Sequence, residues 1–248
     1  MTTFRGYAAT VGELLDRRAR KKAQTRELIR SVAQRRFCED GFEAVTIADI
    51  ARECDVAVQT VFNHFATKEE LFFDGRTPWV DSLAESVRRR ERGVAPLTAL
   101  RAHLVDMIGD LLGSLQDADR RLYVTTLEAS YGLRAHEREL VHQSELNLRE
   151  ALLEAWATDD VVGPADPAWA APVIAAIWVS AGRSLILAQR PHLSGGGDPE
   201  QAAADARALA DRVLRQLEIG ANAVHGRTPR AATPNVDTGW PQPVLRAG

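Results

Sequence analysis

Residues 46–71, TIADIARECDVAVQTVFNHFATKEEL, constrain the fold more than any other part of the chain. Ile47, Ile50, Ala51 and Cys54 recur at three and four, the spacing of one helix face. Thr46 precedes them with Asp49 three residues on, close to a capping box with Asp in place of the usual Glu. Val58, Val61, Phe62 and Phe65 repeat the period, and Thr67 caps a further helix that begins KEELFF. The middle segment predicts a helix over 58–64, barely two turns long. So short a helix is not stable alone. The apolar face at 58, 61, 62 and 65 must anchor it, and Gln59, Thr60 and Asn63 then share the opposite, solvated face.

Helical periodicity continues on both sides, and no segment reads as a strand. Leu28, Ile29, Val32, Ala33 and Phe37 form one face of a first helix at about 21–40, and Gly41 follows as a left-handed cap. Longer helices are expected near 78–92, 97–115, 119–133, 137–157, 167–190 and 199–223, with Pro96, Pro164, Pro167, Pro191 and Pro199 at their edges. PHLSGGGDP at 191–199 reads as a loop, and the Pro-, Gly- and Thr-rich 225–248 as a disordered tail. The fold class is all-α. A basic arm (1–20) precedes a three-helix head (21–77, with its motif at 46–65), and a larger helical domain (78–224) follows.

The net charge of −3 conceals an asymmetry, because residues 17–36 carry nine Lys or Arg against Glu27 alone. Local positive charge fits contact with a polyanion, and equally a solvated helix face. No apolar run approaches a membrane span, and the start lacks the pattern of a secretion signal. Cys38 and Cys54 form no CxxC pair and fall on packed helix faces, so a reducing, cytoplasmic setting fits. Paired acids, a nucleophile with its base and metal-ligand spacing are not found, so neither an enzyme, a metal site nor a cofactor is expected. His64 has no second ligand at suitable spacing.

Two short helices across a tight turn are the layout of a helix-turn-helix, whose second helix enters the major groove. Gln and Asn pair bidentately with adenine, and Thr bonds bases or packs on a thymine methyl. Periodicity alone leaves a polar surface helix without a partner equally open. Residues 25–72 resemble the DNA-binding domain of the TetR family of bacterial regulators, in the GF…TIADIA junction, TVFNHF and the KEEL that follows. The resemblance implies a homodimer with a DNA-reading head and a second domain that binds a small molecule and dimerises, ligand usually releasing DNA. It also assigns phosphate contacts to Thr46, His64 and Lys68, and groove-facing positions to Gln59, Thr60 and Asn63. Three departures stand out: Asp55 and Ala57 replace the usual Gly and Ser of the turn, and Phe62 replaces the usual Tyr. Arg17, Arg18, Arg20, Lys21 and Lys22 are then expected to supplement phosphate binding.

In the second domain His103, Met107, Tyr123, Trp156, Trp178 and Arg183 are candidates for a ligand pocket, each also acceptable as ordinary core. Arg183 lies inside IWVSAGRSLIL and either binds an anionic ligand or pairs with an acid at a dimer interface. Gly109, Gly113, Gly132 and Gly182 interrupt helices and permit close packing or kinks. The two last helices are expected to build the dimer, the second through its small-residue stripe QAAADARALADRVL. The leading expectation is a repressor of a two-fold operator. A TetR-like activator, or a helical DNA-binding architectural protein without sequence choice, remains open.

Overall fold

The computed structural model describes residues 4–114, 117–158, 163–189 and 199–225. The expected loop at 191–199 and tail at 225–248 lie outside the described residues except at Pro199 and His225, which begin and end a helix. Every regular element among the described residues is a helix: α1 (Phe4–Asp40), α2 (Ile47–Glu53), α3 (Val58–Phe62) and α4 (Lys68–Phe73) precede α5 (Trp79–Arg88) and α6 (Pro96–Ser114). There follow α7 (Ala118–Ala129), α8 (Tyr131–Thr158), α9 (Pro167–Gln189) and α10 (Pro199–His225).

The first helix is longer than its apolar face. It begins at Phe4 rather than near 21, because no Pro interrupts the segment and, after Gly6 and Gly12, strong helix formers run on without a Gly to residue 40. Its buried stripe is Ile29, Ala33 and Phe37, while Leu28 lies outside it, 46% exposed. Gly41 adopts φ +89°, the left-handed conformation that stops the helix. The basic segment 17–22 is thus an exposed stretch of helix continuous with the head.

Hydrophobic residues collect in two cores. The first joins α1 to α4 through Ile29, Phe37, Ile50, Val61, Phe65 and Phe72, and it includes Leu127 and Leu133 from the body. The second is formed by α5, α6, α8, α9 and α10. The α7–α8 boundary falls at Ser130, earlier than the expected break at 134–136. Ser130 takes an extended conformation (φ −101°, ψ 126°), and its hydroxyl accepts from the Leu133 amide at 3.2 Å as an N-cap. Gly132 accordingly lies in the first turn of α8, not within a helix ending at 133.

α9 corrects the expectation about apolar runs. Pro167–Ala188 has 22 residues and a mean hydropathy of 1.6, enough by length and composition to cross a membrane. In this fold its inner face, with Ala171, Ala175 and Trp178, is buried in the second core. It also carries Arg183, paired with Glu137 of α8 at 3.0 Å. The small-residue stripe of α10 is corrected too. Ala203, Ala206, Ala210 and Leu214 are buried in the chain's own core, where α10 lies along α6. The approach is close enough that a Cβ on Gly109 would collide with the Arg207 side chain.

Candidate nucleic-acid interface

The two-helix motif is assembled by local bonds. Thr46 accepts from the Asp49 amide at 3.1 Å, and Asp49 accepts from the Thr46 amide at 3.1 Å, completing the capping box. The Thr46 hydroxyl and amide hold the Asp49 carboxyl below the usual carboxylate range, with Arg52 adding to it. α2 ends in a Schellman motif: the Val56 amide donates to Ala51 O at 3.0 Å and the Asp55 amide to Arg52 O at 3.3 Å. Asp55 occupies its left-handed position at φ +53°. Ala57 then opens α3 without a side-chain cap.

α3 is shorter than expected, Val58–Phe62, with Asn63 as its C-cap. Only Val61 and Phe65 anchor it, 0% and 1% exposed. Val58 and Phe62, expected in the same apolar face, are 41% and 45% exposed. The reason is angular. Phe62 lies roughly 100° around the helix from Val61, past the edge of what α1 and α2 can cover. Gln59 and Asn63 face solvent, and the Gln59 amide donates to Asn63 Oδ1 at 3.2 Å. Thr60 is half-buried, so it stands aside from the exposed face on which it was expected.

Two α1 residues hold this arrangement from behind. The Arg26 guanidinium lies 4.1 Å from the Phe65 ring centre, donates to His64 O and pairs with Asp74 at 2.5 Å. The Gln34 amide donates to Asp74 O at 2.8 Å and to Phe72 O at 3.3 Å, closing the end of α4. Neither was anticipated. The available signal was position, since Arg26 stands three, seven and eleven residues before Ile29, Ala33 and Phe37 on the inner stripe.

Lys68, expected on phosphate, is turned inward. Its ammonium donates to Phe42 O and sits 4.3 Å from the Phe42 ring centre, and burial lowers its pKa below the ordinary value. Thr46 keeps an exposed position at the start of α2, although its hydroxyl is engaged in the cap. His64 is half-buried, and burial followed by the charges of Lys22 and Arg26 pushes its pKa down. Lys22 therefore stands on the His64 side of α1. Arg17, Arg18, Arg20 and Lys21 share its exposure. Of the cysteines, Cys54 is buried and Cys38 only half-buried, less than its expected place on a packed face.

The six ligand-pocket candidates do not converge. Tyr123 belongs to the head's core, stacked on Phe72 at 5.0 Å. Trp178 is 1% exposed within the second core, against which Met107 and Trp156 pack. His103 is bonded to Ser82 Oγ at 2.9 Å. Arg183 is paired with Glu137 of its own chain. Sequence periodicity marks these residues as inward-facing but not as mutual neighbours. The body has two clefts, and of the six candidates only Trp178 lines one of them. One of about 540 Å³ is lined by Gly109, Asp110, Gly113, Glu200, Ala203 and Arg207. One of about 270 Å³ lies between α9 and α10 and reaches Trp178.

The profile of the bacterial regulatory proteins of the tetR family matches residues 29–74, which run from Ile29 in α1 through α4. The transcriptional regulator TcmR of Streptomyces glaucescens is 28% identical over 111 residues, covering 44% of this chain and 49% of its own. The regulator HbdR of Aromatoleum sp. (strain CIB) is 26% identical over 122 residues, covering 49% and 52%. The chain thus spans about half the length of the curated relatives it matches. Among solved structures, Salmonella enterica GusR superposes with a TM-score of 0.49 at 18% identity, covering 82% of this chain and 95% of its own. NalD of Pseudomonas aeruginosa gives 0.46 at 22%, covering 78% and 96%. The match over residues 29–74 falls on the capped two-helix motif, and this stretch of the chain is similar to the bacterial regulatory proteins of the tetR family.

Proposed function

We propose that the chain is a sequence-specific, DNA-binding transcriptional regulator, a repressor that reads a two-fold operator as a homodimer and is released by a small molecule. The observation that carries this reading is the α3 face. Gln59 and Asn63 are exposed, aligned with each other, and mounted on a helix locked from behind by Val61, Phe65 and Arg26. Side chains held this way need little reordering to meet base edges. Thr46 at the start of α2, His64 and the exposed helix 17–22 supply phosphate contacts around them. An architectural protein without sequence choice has no use for a paired amide face of this kind.

The homodimer reading is supported by α9, whose outer face carries Trp169, Val173 and Ile177, 61%, 38% and 46% exposed. They are spaced by four, so they form one apolar stripe, and Leu217 and Ala221 of α10 border it. Such a stripe fits a second copy of the chain, giving a four-helix bundle. The small-molecule reading is supported by the cleft between α6 and α10, where Asp110 and Arg207 supply polar anchors. A regulator of this kind works in the cytoplasm and has no catalytic step.

The test is selection of duplexes from a random-sequence pool by the full-length protein. A two-fold consensus, bound far more tightly than random DNA and weakened by Gln59→Ala, is the expected result. Uniform binding across the pool would leave the architectural reading in its place.

A further inference from the structure

α3 has more outward-facing surface than its two amides account for. Val58 and Phe62 are one turn apart and 41% and 45% exposed, on a head that buries nearly all its other large apolar side chains. The phenylalanines make the contrast plain. Phe37, Phe42, Phe65, Phe72 and Phe73 each lie against another ring or under a cation. Phe62 has no such neighbour among the described residues. It also has no hydroxyl with which to bond a phosphate. Val58 and Phe62 run parallel to Gln59 and Asn63, the next pair around the helix, so the exposed face is half apolar and half amide.

We infer that Val58 and Phe62 form the thymine-reading half of this face, packing on the C5 methyl groups of thymines beside the bases that Gln59 and Asn63 bond. The inference rests on the proposed DNA-reading function and deepens it. A thymine methyl is the one apolar group that base edges present in the major groove, and phenylalanine is among the side chains that contact it. A protein partner fits poorly. Two side chains on a five-residue helix are far below the roughly 800 Å² per partner that a stable interface covers. A solvated amide pair lying against them would also be stranded within it.

The experiment uses the full-length protein and two versions of the duplex selected from the random pool, one with thymine and one with uracil at each consensus thymine. A third duplex carries uracil only outside the consensus. Loss of one well-packed methyl corresponds to roughly fourfold in affinity, so two half-sites predict on the order of tenfold weaker binding to the uracil form. The third duplex should bind like the thymine form. The double variant Val58→Ala/Phe62→Ala should bind the thymine form about as weakly as wild type binds the uracil form, and should no longer tell the two apart. Gln59→Ala should bind both more weakly while keeping their ratio. Equal affinity of wild type for the two forms would overturn the inference and leave the regulator reading intact. So would a thymine preference that survives in the double variant Val58→Ala/Phe62→Ala, which would assign the apolar pair to some other partner. Absence of any consensus would overturn both readings together.

Discussion

The hydroxyl of Ser130 donates to Glu43 Oε1 at 2.6 Å, across 87 positions of sequence. The same oxygen accepts the Leu133 amide, so one buried group both starts α8 and ties the α7–α8 corner to the loop that feeds α2. Ser130→Ala removes the cap and leaves the Glu43 carboxylate without that partner. Urea denaturation should show a loss of about 1–3 kcal/mol. Ser130→Thr, which keeps the hydroxyl, should recover most of it.

Gln59→Ala and Asn63→Ala should leave the melting temperature nearly unchanged, because both side chains are exposed and bond mainly each other. Each should cost about 1–3 kcal/mol at the selected duplex and little on random DNA. Lys68→Ala should behave differently from both. It removes a donor to Phe42 O and a cation over two phenylalanine rings, and should itself lower head stability by about 1–2 kcal/mol. Competition binding and thermal melts on the same preparations separate the two effects.

Ala57→Ser should stabilise the head. Position 57 has the extended conformation of an N-cap but no side-chain oxygen to accept from the start of α3. Supplying one should add about 0.5–2 kcal/mol, read as a higher urea midpoint at unchanged slope. An unchanged midpoint would mean that α3 draws its stability wholly from Val61, Phe65 and Arg26.

His103 makes stability fall with acidification. Its ring is partly buried beside Ser82, and burial pushes its pKa below the ordinary 6.5, with Asp106 pulling the other way. The unfolded chain therefore takes up this proton more readily than the folded one. Its stability contribution is complete above about pH 6.5 and drains away as pH falls toward the depressed folded value. His64 is shifted in the same sense. Melting temperature should drop between pH 7.5 and 5.5, and His103→Gln should flatten that slope. Asp49, Glu154 and Asp211, whose pKa values are also lowered, act at more acidic pH, below about 4.

Ile177→Glu and Trp169→Glu place a charge in the exposed stripe of α9. Sedimentation at micromolar concentration should show wild type as a dimer and both variants as monomers. Far-ultraviolet dichroism should be unchanged, since neither residue belongs to the buried core.

The local elements were legible in sequence because local chemistry makes them. The Thr46–Asp49 box, the left-handed Gly41 and Asp55, the Thr67 cap and the uncapped Ala57 all depend on neighbours a few residues away. Features set by distant partners were not. Val58 and Phe62 match the helical period of Val61 and Phe65, and only the width of the cover from α1 and α2 decides that they stay exposed. Lys68 reads as a surface cation until Phe42 is seen beneath it. The alanine stripe of α10 reads as an interface until α6 of the same chain is seen to fill it. The pocket candidates are dispersed for the same reason, since periodicity sorts inside from outside without saying which inside residues meet, and Trp178 alone of them lines a cleft.

Leu127 and Leu133, 2% and 0% exposed, sit in the head's core although they belong to α7 and α8, and Tyr123 stacks on Phe72 beside them. A head cut away at residue 77 would carry an open wound where those side chains plug it. This reading unit is not a portable cassette: a chimera that grafts it onto another body must bring the α7–α8 corner with it, or repack the socket that the corner leaves.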